Sequence, residues 1–339
     1  MQHRQLGRTG VRVSTLALGT MVMGAWGNQD HDECIRMVHQ ALDAGVNLID
    51  TADVYADGES EEIVGAALRG RRDDVVLATK FWNPMGTGDD PNRRGASRRW
   101  IKRAVEDSLR RLQTDWIDLY QVHRADPDTS MDEILGALDD LVRAGKVRYV
   151  GTSTWPAELI VEAQWSAARR ATTRFVCEQP PYSILTRAAE TAVLPTCLRH
   201  GMGVIVWAPL NGGWLTGKYR RGSTAPAGSR ADYAGEHFAV SEAKFDAVEQ
   251  LAVLADELGL SMAHLALAWV REHPAVTSAI IGPKTPEQLA DLLAAADDRL
   301  PANALDRIDA IVAPGTTLAT YDDGWTTWDL EPAARRRTS

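Results

Sequence analysis

The chain has only three cysteines in 339 residues, Cys34, Cys177 and Cys197, with no CxxC pair among them. That is too few and too scattered for a disulfide framework or a cysteine zinc site, so they read as small core residues in a reducing compartment. Positive charge is also scarce. A net charge of −9 and a pI near 5.4 exclude a chain built to neutralise nucleic-acid phosphates or to coat an anionic membrane. No run approaches the ~20 apolar residues of a membrane span. The apolar stretch 13–26 follows Arg4, Arg8 and Arg12 as a signal peptide would, but Gly7, Gly10, Gly19 and Gly24 punctuate it like a hairpin followed by a strand. The expectation is a cytoplasmic chain. The histidines, among them His31, His39, His200 and His264, have neither HxH nor HExxH spacing, which leaves a metal hydrolase without ligands. One phosphate-loop look-alike, 212–218, fits GxxxxGK, but Tyr219 stands where a Ser or Thr would hold a magnesium ion.

What is present is a rhythm. After an N-terminal hairpin (1 to about 12), eight short apolar or β-branched runs, 15–18, 46–50, 75–79, 117–121, 147–151, 175–178, 203–207 and 278–281, alternate with amphipathic segments. The latter carry apolar residues at helical spacing, as in Ile35, Val38 and Leu42 or in Ile101, Val105, Leu109 and Leu112. Alternating strands and helices require a parallel sheet covered by helices. No GxGxxG loop follows any run, which argues against an open dinucleotide-binding sheet and for a closed (β/α)8 TIM barrel of the α/β class. The rhythm assigns 1–330 to a single barrel domain and 331–339, with Arg335, Arg336 and Arg337, to a polar C-terminal tail. The Gly/Ser/Ala-rich segment 221–235 reads as a long loop after the seventh strand. The sequence leaves an oligomer open.

In such a barrel, functional side chains sit at the C-terminal ends of the strands. Asp50 ends the second strand, Tyr55 lies in the loop after it, Lys80 ends the third strand and His123 follows the fourth. Each alone has an ordinary reading as cap, packing residue, surface charge or core histidine. Four ionisable groups at successive strand ends on one rim do not. The strings DTADVY, ATKFW and YQVHRADP that hold them resemble the catalytic segments of the aldo-keto reductases. RQLGRTGVRVSTLALGTM, GTSTW, CEQPPYS, WAPLNGGWLTGKY and AIIGPKTPEQL resemble segments of the same family, in family order over nearly the whole chain. The closest likeness is to its bacterial reductases and potassium-channel β-subunits, which share the CEQ and W-x-P-L segments.

The resemblance implies an NADP-dependent oxidoreductase that reduces aldehyde or ketone carbonyls reversibly, with NADPH preferred and NADH bound more weakly. It makes Tyr55 the general acid, Lys80 the cation beside it, Asp50 the partner of Lys80, and His123 the group that orients the carbonyl. Physically, an ammonium next to a phenol stabilises the phenolate and eases proton donation, and an imidazole N–H adds charge stabilisation at the forming alkoxide. No metal is needed. The same resemblance gives Ser153 and Gln179 to the nicotinamide carboxamide, Trp207 to its ring, and Asp50 with Gly19, Thr20 and Met21 to the ribose side. It gives Ala208, Leu210, Gly213, Lys218, Arg230, Gly282, Lys284, Gln288 and Asp291 to the rest of the cofactor, where helix N-termini and basic side chains attract phosphates. Two positions depart from the family pattern: Thr154 and Leu292 stand where many members have Asn, the latter at an adenine contact. Eleven tryptophans, with Trp26, Trp82, Trp155 and Trp214 assigned to rim loops and Trp325 and Trp328 near the end, suggest an aromatic-lined pocket. Trp82, two residues beyond Lys80, is the expected substrate contact for a small-molecule carbonyl.

Overall fold

The computed structural model describes residues 1–86, 90–233, 238 and 240–324. Trp325, Trp328 and the expected tail at 331–339 lie outside the described residues. A two-stranded antiparallel hairpin, β1 (His3–Gln5) and β2 (Arg12–Ser14), precedes a closed barrel of eight parallel strands. The strands are β3 (Leu16–Gly19), β4 (Leu48–Asp50), β5 (Val76–Phe81), β6 (Ile117–Val122), β7 (Val147–Ser153), β8 (Phe175–Gln179), β9 (Gly203–Val206) and β10 (Ser278–Ile281), with β10 pairing β3 to close the ring. Around them run α1 (His31–Asp43), α2 (Glu59–Ala67), α3 (Arg98–Leu112), α4 (Met131–Arg143), α5 (Ala157–Arg170), α6 (Val193–His200), α7 (Arg230–Tyr233), α8 (Glu242–Leu258), α9 (Met262–Glu272), α10 (Pro286–Ala294) and α11 (Ala302–Ile311). The hairpin reaches two residues beyond its expected end, since His3 pairs with Ser14. The third barrel strand, expected to end at Lys80, extends one residue further to Phe81.

Polar side chains start six of the helices: Asp30, Ser97, Ser130, Ser241, Ser261 and Thr285 each accept a hydrogen bond from an N–H of the first turn. No single helix among the described residues is long and apolar enough to cross a membrane.

Two apolar layers follow from the period of two along each strand. Leu16, Leu18, Ile49 and Leu77 point outward into the core shared with the helices. Ala17, Leu48, Ala78, Leu119, Cys177, Ile205 and Ile280 form a separate buried cluster, into which the hairpin inserts Leu6 and Val13. This inner cluster fills the barrel and the hairpin seals its floor. Stepping two residues further along these strands gives Gly19, Asp50, Lys80, Gln121, Gln179, Trp207 and Gly282, and Ser153 of β7 joins them by pairing with Gln179. The next inner layer is therefore mostly polar, and it opens toward the C-terminal mouth.

Candidate active site

Strand register assembles that layer. Asp50 pairs with Gly19 on one side and Ala78 on the other, Lys80 pairs with Gln121, and Ser153 with Gln179. Lys80 is completely buried, and its ammonium donates to Asp50 Oδ1 at 2.6 Å, to the Thr51 carbonyl at 2.9 Å and to the Tyr55 hydroxyl at 3.1 Å. Burial alone would lower its pKa, but Asp50 and Tyr55 outweigh it and hold the lysine above its ordinary value. The other oxygen of Asp50 accepts from Gln179 Nε2 at 2.8 Å and Gln121 Nε2 at 3.4 Å. The carboxylate is thus bonded on both oxygens, which fixes the cation that it carries.

His123 stands beside the tyrosine, with ring centroids 6.0 Å apart at 80°. Asn83 Nδ2 lies 3.0 Å from His123 Nδ1. An amide nitrogen can only donate, so Nδ1 accepts and the ring proton belongs on Nε2. Burial, then the charges of Lys80 and Arg124, push the imidazole pKa well below 6.5, so at neutral pH the ring is an uncharged donor. Trp82 sits at φ 144°, half-buried, with Arg94 5.9 Å from its ring centroid. Trp26 is 48% exposed, 6.1 Å from the Tyr55 ring centroid.

The mouth also brings together the segments expected to meet a cofactor. The Thr20 N–H and hydroxyl both contact the Asp50 carbonyl, at 3.0 and 3.2 Å, and Met21 follows in the same turn. The Ser153 hydroxyl donates to the Gln179 carbonyl at 3.0 Å. Trp207 lies one residue past β9, where its indole N–H donates to Thr154 Oγ1 at 3.2 Å and Gly324 packs against its ring. Ala208 takes a left-handed turn at φ 54°, and Leu210 packs on the core beneath it. Gly213, at φ 99°, leaves room for the Lys218 side chain, which a Cβ would strike at 2.6 Å. Arg230 opens α7 and packs near Gly212. Gly282 ends the inner row of β10 and a Cβ there would enter open space. Lys284 Nζ donates to the Gly228 carbonyl at 3.2 Å, tying the long loop after β9 to the start of α10, while Gln288 Oε1 accepts from Lys284 N at 2.9 Å. Asp291 lies on the same helix, and its carbonyl contacts His264.

The structure corrects the aromatic pocket in part. Trp155 and Trp214 are not rim residues: both are buried, the first against Phe175 and the second stacked 5.5 Å from Phe238. Leu292 is 6% exposed in the core between α10 and the barrel, so its side chain packs there instead of facing an adenine. Thr154 has φ 58°, a conformation that Asn tolerates better than a β-branched residue, which gives a physical reason for Asn at this position elsewhere. Sequence reasoning missed Gln121, Asn83 and Arg124. Gln121 was findable as the inward polar residue two places after Leu119; the other two depend on loop conformation. A buried group behind Tyr55 was also missed. There Arg111 pairs with Glu61 at 2.7 Å, and Asp53 and Tyr120 hold polar oxygens without partners among the described residues.

A model of the aldo/keto reductase family matches residues 15–313. The uncharacterized oxidoreductase YrpG of Bacillus subtilis is 41% identical over 326 residues, covering 93% of this chain and 97% of the relative. Probable voltage-gated potassium channel β subunits of Oryza sativa and Arabidopsis thaliana are 39% and 37% identical, each over 92% of this chain and 97% of the relative. A closed eight-stranded barrel, polar at its C-terminal mouth and matched along most of its length, leaves one assignment: the chain belongs to the aldo/keto reductase family, oxidoreductases that reduce carbonyls with nicotinamide cofactors.

Proposed function

We propose that the chain reduces aldehyde or ketone carbonyls to alcohols, reversibly, with NADPH and with Tyr55 as proton donor. The observation that carries this is the buried Lys80 ammonium, 2.6 Å from Asp50 and 3.1 Å from the Tyr55 hydroxyl. Bound at the mouth, the reduced nicotinamide supplies the hydride. Ser153, Gln179, Trp207 and the 19–21 turn would hold its nucleoside. The open space at Gly282 and the basic side chains of Lys218, Arg230 and Lys284 suit its phosphates. Tyr55 places its proton at the reacting oxygen and Lys80 stabilises the phenolate left behind. His123 donates from Nε2 to the same oxygen. Trp82 is the proposed wall of the substrate site. Three buried free thiols suit a reducing compartment, in keeping with a cytoplasmic enzyme.

Tyr55→Phe is expected to keep NADPH binding and to lose ~10²–10⁴-fold in turnover of a panel of aromatic aldehydes and dicarbonyls, read at the reduced-nicotinamide absorbance band. Retention of more than about a tenth of wild-type turnover would remove Tyr55 as the donor. Cofactor choice has its own test: Lys284→Ala is expected to weaken NADPH roughly tenfold more than NADH in fluorescence titration, because only NADPH carries the 2′-phosphate. Equal weakening would move Lys284 off that group. The relatives named as channel β subunits favour a second reading, a cofactor-binding module docked on a partner. Tight NADPH binding with no turnover of any aldehyde in the panel would favour it.

A further inference from the structure

Arg124 follows His123 at the mouth. Its Nη1 donates to the His123 carbonyl at 2.8 Å and to Thr154 Oγ1 at 3.1 Å, the oxygen that also receives the Trp207 indole. These bonds pin the guanidinium to the wall of the opening, close enough to Tyr55, Glu178 and Tyr321 for an electrostatic interaction with each, though it hydrogen-bonds to none of the three. Several other sheltered arginines are neutralised or saturated. Arg72 pairs with Asp118, Arg111 with Glu61, and Arg187 with Glu190 and Asp309, while Arg271 donates to four backbone carbonyls. Arg124 has no carboxylate within 4.0 Å among the described residues, and Nη1 is the one nitrogen with a hydrogen bond. The side chain is half-buried. A guanidinium held in place beside the reacting groups, with no carboxylate in contact and two nitrogens without a hydrogen bond among the described residues, is suited to an incoming anion, which its planar fork can grip with parallel bonds.

We propose that Arg124 binds an anionic group, carboxylate or phosphate, carried by the carbonyl substrate, so that the preferred substrates are small acidic aldehydes or ketones. This rests on the reductase reading above. The substrate pairs that test it are 4-oxobutanoate against its methyl ester, for carboxylate, and glyceraldehyde 3-phosphate against glyceraldehyde, for phosphate. The wild-type protein is expected to favour the anionic member of at least one pair by roughly tenfold or more in kcat/KM, mostly through KM. Arg124→Met is expected to cut that preference by roughly tenfold or more, and Arg124→Lys, which keeps charge without the fork, to recover part of it. The responding pair identifies the anion. Equal use of both members of both pairs, or an equal loss on anionic and neutral substrates in the Met variant, would overturn the proposal. If no aldehyde is reduced, the reductase reading falls by itself. The anion site is then read by calorimetric titration of succinate against succinamide: binding of succinate that Arg124→Met abolishes supports it, and indifference to the substitution overturns it.

Discussion

A neutral imidazole can offer a proton to a substrate from one nitrogen only if something fixes the other as an acceptor. At His123 that task falls to Asn83, whose amide nitrogen lies 3.0 Å from Nδ1. Removing the amide with Asn83→Leu is expected to lower kcat/KM for a neutral aldehyde by roughly two- to tenfold, the worth of one neutral hydrogen bond, with little change in NADPH affinity. Asn83→Asp is expected to do more harm, since a carboxylate draws the proton to Nδ1 and leaves Nε2 as an acceptor. Nitrogen-15 NMR of the His123 ring reads the tautomer directly. An unchanged Nε2–H tautomer in the Asp variant would show that Asn83 does not set it. At this scale the sequence was legible where strand geometry rules: Asp50, Lys80, Ser153 and Gln179 share one inward parity, and the parity is visible in the runs. Asn83 and Arg124 sit beyond the strand ends, where left-handed residues such as Trp82 and Thr154 redirect the chain and no periodicity reports their aim.

Strands also store a pH dependence. Glu178, on the outward face of β8, is fully buried and accepts from the Thr152 hydroxyl and from the Trp155 N–H at 3.1 Å. Burial pushes its carboxyl from the ordinary 4.5 up to about 7, against the opposing effect of those hydrogen bonds. Between these two values the folded chain keeps a proton that the unfolded chain has released. The associated stability is therefore complete below about pH 4.5 and lost as pH rises through about 7, by on the order of 3 kcal/mol. Denaturant melts at pH 5 and pH 8 should show wild type losing more stability over that interval than Glu178→Gln, which cannot ionise. Parallel losses would mean that Glu178 does not titrate there. Elements were readable from the apolar pattern, yet the fate of single apolar side chains on them was not. Trp155, Trp214 and Leu292 all belong to helix–barrel packing, and nothing in their spacing separated that seam from the open rim.

The whole molecule divides its labour by face. Closure of the sheet needs only the β/α rhythm, and that rhythm was plain in the sequence from 15 to 281. The hairpin was plain as well, but its purpose was not, because the contacts of Leu6 and Val13 with Ala17, Leu48 and Ile280 exist only once the barrel has closed above them.

A filled barrel, closed below by the hairpin, can take guests at its C-terminal mouth alone, and one mouth would impose an order of traffic. If the dinucleotide lays its nicotinamide against the polar layer at Asp50 and Gln179, the carbonyl compound must arrive after it and sit above it. The alcohol then has to leave first, since nothing can depart through the floor. Turnover would wait on the slow exchange of the deeper guest, and a crowd of alcohol at the opening would hold the spent dinucleotide in place. Two separate openings would let such guests exchange independently; a single mouth would keep them in a queue.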